Sequence, residues 1–214
     1  MKFAIHVKGL EVPFHEPRYK QGLGLHYSVH GTGADHITGV MDDAIGNLAE
    51  DWGSLGEFIL MPPSELSPAK VRFAYEMGLW KEMGNYLGLC AFVPWRLHEV
   101  TVAVAAITGW QMTTWGLMKA VERGITLMRI FNLREGFTRD DDVLPDRFFT
   151  PPLEGPLKDT KIDPAVFKEC QEIYYQMMRW DSSGVPTKGC LVALDLEWAI
   201  PLLNNQTSGN TLAL

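Results

Sequence analysis

Asn85-Tyr86-Leu87-Gly88-Leu89-Cys90 places a single thiol in a glycine-containing loop, and the residues on either side say what kind of scaffold holds it. Upstream, Ser67-Pro68 is a helix cap followed by proline at the first helical position, where a missing N–H costs nothing. Ala69 to Met83 therefore reads as helix, ended by Gly84-Asn85, and Cys90 stands in a loop just beyond it. Downstream, Val100 to Met118 carries no charge and approaches the length that crosses a bilayer. Gly109, Gln111, Gly116 and the threonines dilute its apolarity, so it reads as a buried helix in a core. From Thr108 to Leu133, Trp115, Met118, Val121, Ile125 and Met128 recur at three- and four-residue spacing, which predicts a core-facing stripe. Asp163-Pro164 opens a further helix whose stripe is Val166, Phe167, Cys170, Ile173, Tyr174 and Met177. The fold expected is mainly α, one helical domain over residues 1–198 with a short extended amino-terminal segment and a flexible tail over 199–214.

Away from these helices the patterns are shorter. Met1 to Lys8 alternates polar and apolar residues like a strand and lacks the hydrophobic core of a signal peptide. Gly22 to Val29 predicts a short helix broken by Gly31 and Gly33, and Met41 to Trp52 a second, with Asp42 and Asp43 suiting its positive amino end. Arg134 to Asp163 is rich in Asp, Pro and Gly and reads as a surface connection, with Asp140, Asp141 and Asp142 as a solvated face. Arg123, Arg129, Arg134 and Glu135 are expected to form an ion-pair network tying the long helix to that connection.

The chain has 214 residues, 46% of them hydrophobic, enough to bury a core of its own. A formal charge of -7 and a pI near 5.3 argue against a nucleic-acid or anionic-membrane surface, since both call for clustered Lys and Arg. Cys90, Cys170 and Cys190 are odd in number and include no Cys-x-x-Cys pair, which suits a reducing, cytoplasmic setting rather than a disulfide framework. His26 and His30 are four residues apart and, with His36, could be read as a metallohydrolase site, but there is no His-Glu-x-x-His arrangement. His6, His15 and His98 have no constellation and read as surface or packing residues.

Three separated segments resemble the carboxyl-terminal part of the aldehyde:ferredoxin oxidoreductases, the tungsten (or molybdenum) pterin enzymes. They are the Cys90 loop; Lys8-Gly9-Leu10-Glu11-Val12-Pro13 leading to Gly24-Leu25-His26-Tyr27 and Gly33-Ala34-Asp35-His36; and Phe131-Asn132-Leu133-Arg134-Glu135-Gly136-Phe137-Thr138-Arg139 with Leu144-Pro145-Asp146-Arg147. In that family the loop has the form Asp-x-x-Gly-Leu-Cys, its Asp bonded to the pterin and its Cys the fourth ligand of a 4Fe-4S cluster. The resemblance thus implies that Asn85, Gly88, Leu89 and Cys90 bind cofactor, with Cys90 on the cluster. Asn85 departs from the pattern, because an amide offers one neutral acceptor and a donor where a carboxylate offers two charged acceptors. His36 is implied as the residue that hydrogen-bonds or protonates the substrate oxygen, and imidazole suits that role near neutral pH. Asp35 would orient His36 or cap the next segment.

The resemblance further implies oxidation of a small aldehyde to a carboxylic acid at a tungsten or molybdenum bis-pterin, with electrons leaving through the 4Fe-4S cluster to ferredoxin. The family's amino-terminal pterin domain and its Cys-x-x-Cys-x-x-x-Cys run have no counterpart in this sequence. An amino-terminal portion or subunit is therefore the expected partner, and this chain alone is expected to be inactive. A homo-oligomer is also compatible with the pattern. The competing expectation is a cofactor-free helical binding or assembly subunit, or a truncated inactive fragment.

Overall fold

The computed structural model describes residues 3–39, 41–44 and 61–204. Its first feature is a small antiparallel hairpin, β1 (His6–Val7) and β2 (Leu10–Glu11), in register His6 to Glu11 and Val7 to Leu10. The two-residue turn needs positive φ at both centres, and Lys8 (φ 50) and Gly9 (φ 84) supply it. Among the described residues seven helices follow: α1 (Gln21–Val29), α2 (Pro68–Leu87), α3 (Leu97–Thr108), α4 (Thr114–Arg134), α5 (Pro164–Met177), α6 (Lys188–Ala193) and α7 (Ile200–Asn204). The mainly α expectation holds. The expected helix from Met41 to Trp52 falls for the most part outside the described residues; within them, Asp42–Ala44 is a single 3-10 turn.

Helix starts follow local chemistry. Ser67 accepts the Lys70 N–H and Asp163 those of Ala165 and Val166, each with proline at the first helical position. Thr113 and Thr187 cap α4 and α6 in the same way. The helix α2 is the hub, packing on α1, α4 and α5, while α7 closes against α4. Its core residues Val71 and Met83 share one buried cluster with Leu23 and Leu25 of α1, Val121 and Ile125 of α4, and Cys170 and Tyr174 of α5.

Three expectations change. The helix α2 does not stop at Gly84-Asn85 but runs to Leu87, because the stop is Gly88 in the left-handed region (φ 68). The stretch from Thr108 to Leu133 is not one helix. Gly109 (φ 73) ends α3, and Thr113 caps the start of α4. The uncharged run is accordingly not a buried helix. Only Leu97 and Val100 of α3 are buried, Val102 and Ile107 are exposed, and Trp115 lies outside the core stripe that Met118, Val121 and Ile125 do form.

The acidic connection is not wholly solvated either. The Asp142 side chain is 0% exposed and pairs with Lys8 Nζ (2.7 Å) and Arg129 Nη1 (2.8 Å), both also buried. Tyr175 donates its hydroxyl to the same carboxylate, and Arg129 Nε donates to the Gly184 carbonyl (2.8 Å). One buried carboxylate thus ties the hairpin, α4, α5 and the loop after α5. Of the expected network only Arg129 joins it; Arg123 pairs with Asp195, and Arg134 and Glu135 stay exposed. Residues 205–214 lie outside the described residues.

Candidate functional site

Gly88 determines where Cys90 goes. Its left-handed turn lets the Leu89 N–H reach back to the Gly84 carbonyl (2.8 Å), so the chain leaves α2 sharply and turns Cys90 outward. The Cys90 carbonyl accepts both the Val93 N–H (3.2 Å) and the Trp95 indole N–H (3.2 Å), and this pins the next turn beneath the thiol. Cys90 itself is exposed, whereas Cys170 and Cys190 are buried thiols. Burial pushes the Cys170 thiol up to about 11, and that of Cys190 also up, so neither is a ready thiolate.

Cys90, Leu89 and Asn85 border one groove of about 360 Å³, walled by Trp80, Phe92 and Trp95. Lys81 is its cation, and burial lowers that ammonium's pKa. From the far side of the sequence Ile37, the neighbour of His36, lines the same groove. Asn85 is turned by Glu82, whose Oε2 accepts the Asn85 Nδ2–H (3.3 Å), leaving the amide oxygen as an outward acceptor.

His36 is half-buried, its ring 4.9 Å from that of His15. Burial, then Lys20, then His36 lower the His15 pKa, so His15 favours the neutral base form. By sequence His15 reads as a surface or packing residue; only the fold back of the Pro13 to Pro17 segment brings the two rings together. Asp35 caps the segment that follows it, its Oδ1 accepting the Ile37 N–H (2.8 Å).

The histidines of α1 do not join His36 in a metal cluster. His26 and His30 stack on each other (centroids 4.8 Å) inside the core, and among the described residues no group of three or more His, Cys, Asp or Glu is arranged to hold a metal ion. Thr38 donates its hydroxyl to the Asp35 carbonyl (3.2 Å) and therefore accepts from His26 Nε2 (2.9 Å). Burial, then His30, then Lys8 hold the His26 pKa well below the usual imidazole range. The His36 loop is thus anchored from below by a neutral buried histidine.

Comparison with known proteins bears on this arrangement. The profile of the family described as "Aldehyde ferredoxin oxidoreductase, domains 2 & 3" matches residues 1–196. The tungsten-containing aldehyde ferredoxin oxidoreductases of Thermococcus kodakarensis and Pyrococcus furiosus are each 30% identical to this chain over 187 residues, 86% of it and 29% of their own length. That of Pyrococcus horikoshii is 29% identical over 201 residues, covering 92% of this chain and 31% of its own. The chain therefore spans about 30% of the length of these curated relatives. Among solved structures, the active site complex BamBC of benzoyl coenzyme A reductase, in complex with 1,5-dienoyl-CoA, superposes with a TM-score of 0.63 at 22% identity. That match covers 94% of this chain and 33% of the other, a likeness of fold.

Proposed function

The chain belongs to the aldehyde ferredoxin oxidoreductase family, in the part described as domains 2 and 3, and from that premise we propose that it is the portion of a tungsten-dependent aldehyde-oxidising enzyme that closes the cofactor site. The carrying observation is the exposed Cys90 thiol on the same groove as the outward acceptor of Asn85. The residues fit the groups that the family uses. Iron needs a soft thiolate that can reach out of its own fold, and a flat heterocycle edged with N–H needs an oxygen acceptor beside aromatic walls. Tungsten, named in the relatives, is preferred here to molybdenum.

When bound, the bis-pterin metal and the 4Fe-4S cluster would supply the conversion of an aldehyde and water to a carboxylic acid, with two electrons leaving singly to ferredoxin. The chain's own residues have narrower tasks. Cys90 would hold one iron, presented by the turn at Gly88. Asn85 would accept from the pterin edge, and Leu89 lines the groove that both border. His36 holds a proton at the substrate oxygen, and His15 beside it takes up or returns that proton.

Phe92, Val102, Ile107, Trp110 and Trp115 are large exposed apolar residues on the loop, on α3 and at its junction with α4. We assign them to contact with the portion of the enzyme that carries the pterin domain and the remaining cluster cysteines, since apolar area of this kind marks an interface. Among the described residues no helix is long and apolar enough to cross a membrane, and the free thiols suit a cytoplasmic enzyme.

The test is anaerobic purification of the chain alone and with a pterin-domain partner, followed by tungsten, iron and acid-labile sulfide analysis. About four irons per complex in the paired sample, lost in Cys90→Ala, would support the proposal. No metal in either sample would favour a cofactor-free assembly subunit, the reading to which a neutral Asn85 in place of the family's aspartate lends itself.

A further inference from the structure

Beneath the groove lies a polar chain that the cofactor reading does not use. Asn85 Nδ2 donates to Glu82 Oε2 at 3.3 Å, and the Glu82 side chain is only 5% exposed. The same oxygen faces His30 Nε2 at 3.6 Å, and that nitrogen, 2% exposed with the rest of its side chain, has no hydrogen-bond partner. The other ring nitrogen is committed. His30 Nδ1 accepts the Thr32 backbone N–H (3.4 Å), and a backbone N–H can only donate. The Thr32 hydroxyl stands 2.9 Å from Nδ1 and is free to donate there as well. In the neutral ring the proton is therefore on Nε2, aimed at Glu82. His26, stacked at 4.8 Å with the rings 23° from parallel, holds the imidazole in that orientation.

We propose that Glu82, backed by His30, is the positioning residue that turns the Asn85 carboxamide, so that the groove presents a carbonyl and reads N–H donors on the edge of a flat heterocycle. The assignment follows from donor chemistry. An ionised carboxylate only accepts, so the Asn85 NH2 must face Glu82 and its oxygen must face out. Both neighbours present hydrogens to Oε2, the Asn85 NH2 by donation and the His30 Nε2–H from 3.6 Å, so Glu82 is the acceptor of the set. The same pair explains the departure at position 85. A carboxylate there would stand beside the Glu82 carboxylate, three residues earlier on one helix face, and like charges so placed repel. An amide at 85 is the partner that Glu82 requires. Where the family pattern binds pterin with an ionised Asp, this chain reaches the same acceptor through a pair.

The inference rests on the cofactor reading for its ligand but not for its geometry, and the two can fail separately. The full chain, isotope-labelled, is followed by NMR in the absence of any cofactor. The His30 nitrogens are expected to show the proton on Nε2. The Asn85 side-chain NH2 is expected to exchange with solvent at least about tenfold faster in Glu82→Ala than in the wild type. Glu82→Gln should restore protection, because its carbonyl oxygen still faces the His30 N–H and still accepts. An Asn85 NH2 that exchanges freely in the wild type, or a His30 proton found on Nδ1, would overturn the proposal without any variant having to fold.

In the second arm 2-amino-4-oxopteridine is titrated against the Trp80 and Trp95 resonances. Binding that weakens tenfold or more in Glu82→Ala and recovers in Glu82→Gln supports both readings. A wild type with a protected Asn85 NH2 that does not bind the pteridine leaves the orientation standing and sinks the cofactor reading instead.

Discussion

Arg129 and Asp142 form an ion pair 2.8 Å long with side-chain exposures of 2% and 0%, and Lys8 completes it from the hairpin at 2.7 Å. Two cations share one carboxylate. Burial pulls the Lys8 pKa down while Asp142 pulls it back, so the carboxylate is what keeps both cations tolerable in the core.

Removing that carboxylate should therefore cost more than removing a surface pair. Asp142→Ala is expected to lose about 3–5 kcal/mol, because two buried cations and the Tyr175 hydroxyl lose their acceptor together. Urea unfolding measures this. A loss below about 1 kcal/mol, typical of an exposed pair, would mean that water reaches the cluster.

The three thiols should react in a fixed order. Cys90 is exposed, while Cys170 and Cys190 are buried and their thiols raised. One equivalent of a thiol reagent should add quickly to the folded chain and two more only on unfolding. Cys90→Ala should remove the fast phase and leave stability within about 0.5 kcal/mol, as expected for an exposed site outside the core. A fast phase that survives in Cys90→Ala would show that the core opens locally.

Acid should weaken the fold through His26. Its folded-state pKa lies well below the ordinary imidazole value of 6.5, owing to burial first and His30 next. The unfolded chain thus takes up a proton below about pH 6.5 that the folded chain refuses, and stability falls as pH drops from there toward the folded pKa. The slope approaches about 1.4 kcal/mol per pH unit for one proton. His15, also lowered, acts in the same direction. Urea midpoints at pH 7.5, 6.5 and 5.5 test this, and His26→Gln should flatten the lower two. An unchanged slope in that variant would assign the acid loss to other groups.

Much of this architecture was legible because its signals are local. Ser67-Pro68 and Asp163-Pro164 announce helix starts through bonds made within four residues, and the structure keeps both. The Gly-Leu-Cys loop was legible for the same reason, since one left-handed glycine sets it. What failed depended on distant partners. The spacing of Trp115 matches the α4 core stripe, but the break at Gly109 moves the start of that helix outward, and no apolar partner covers it among the described residues. Asp142 looked like one acid among three until Lys8 and Arg129 arrived from opposite ends of the fold. His15 and His36 meet only once the hairpin segment folds back, which no periodicity encodes.

Gly88→Ala isolates the turn that presents Cys90. Nothing lies within 4 Å of the position a Cβ would occupy, so crowding contributes nothing and the cost is that of φ 68 alone. About 1 kcal/mol is expected, with Asn tolerated better than Ala because it enters the left-handed region more readily. Cys90 should also react more slowly in Gly88→Ala as the loop relaxes toward helix. Unaltered reactivity alongside lost stability would mean that the Trp95 bond to the Cys90 carbonyl holds the loop without the glycine.

Asn85→Asp asks whether the amide was chosen for its neighbour. The family's aspartate, placed here, would stand against the Glu82 carboxylate that now accepts from Asn85 Nδ2. Two ionised carboxylates at hydrogen-bonding distance repel each other. Asn85→Asp alone should therefore destabilise the chain by about 1–2 kcal/mol, mostly above pH 6, since repulsion needs both charges. Adding Glu82→Gln should recover most of that loss, because the glutamine amide can donate to the new carboxylate. A double-mutant cycle by urea unfolding at pH 7 and pH 5 reads the coupling directly. Additive effects at both pH values would show that residues 82 and 85 do not sense each other's charge, and that the orientation of Asn85 owes nothing to Glu82.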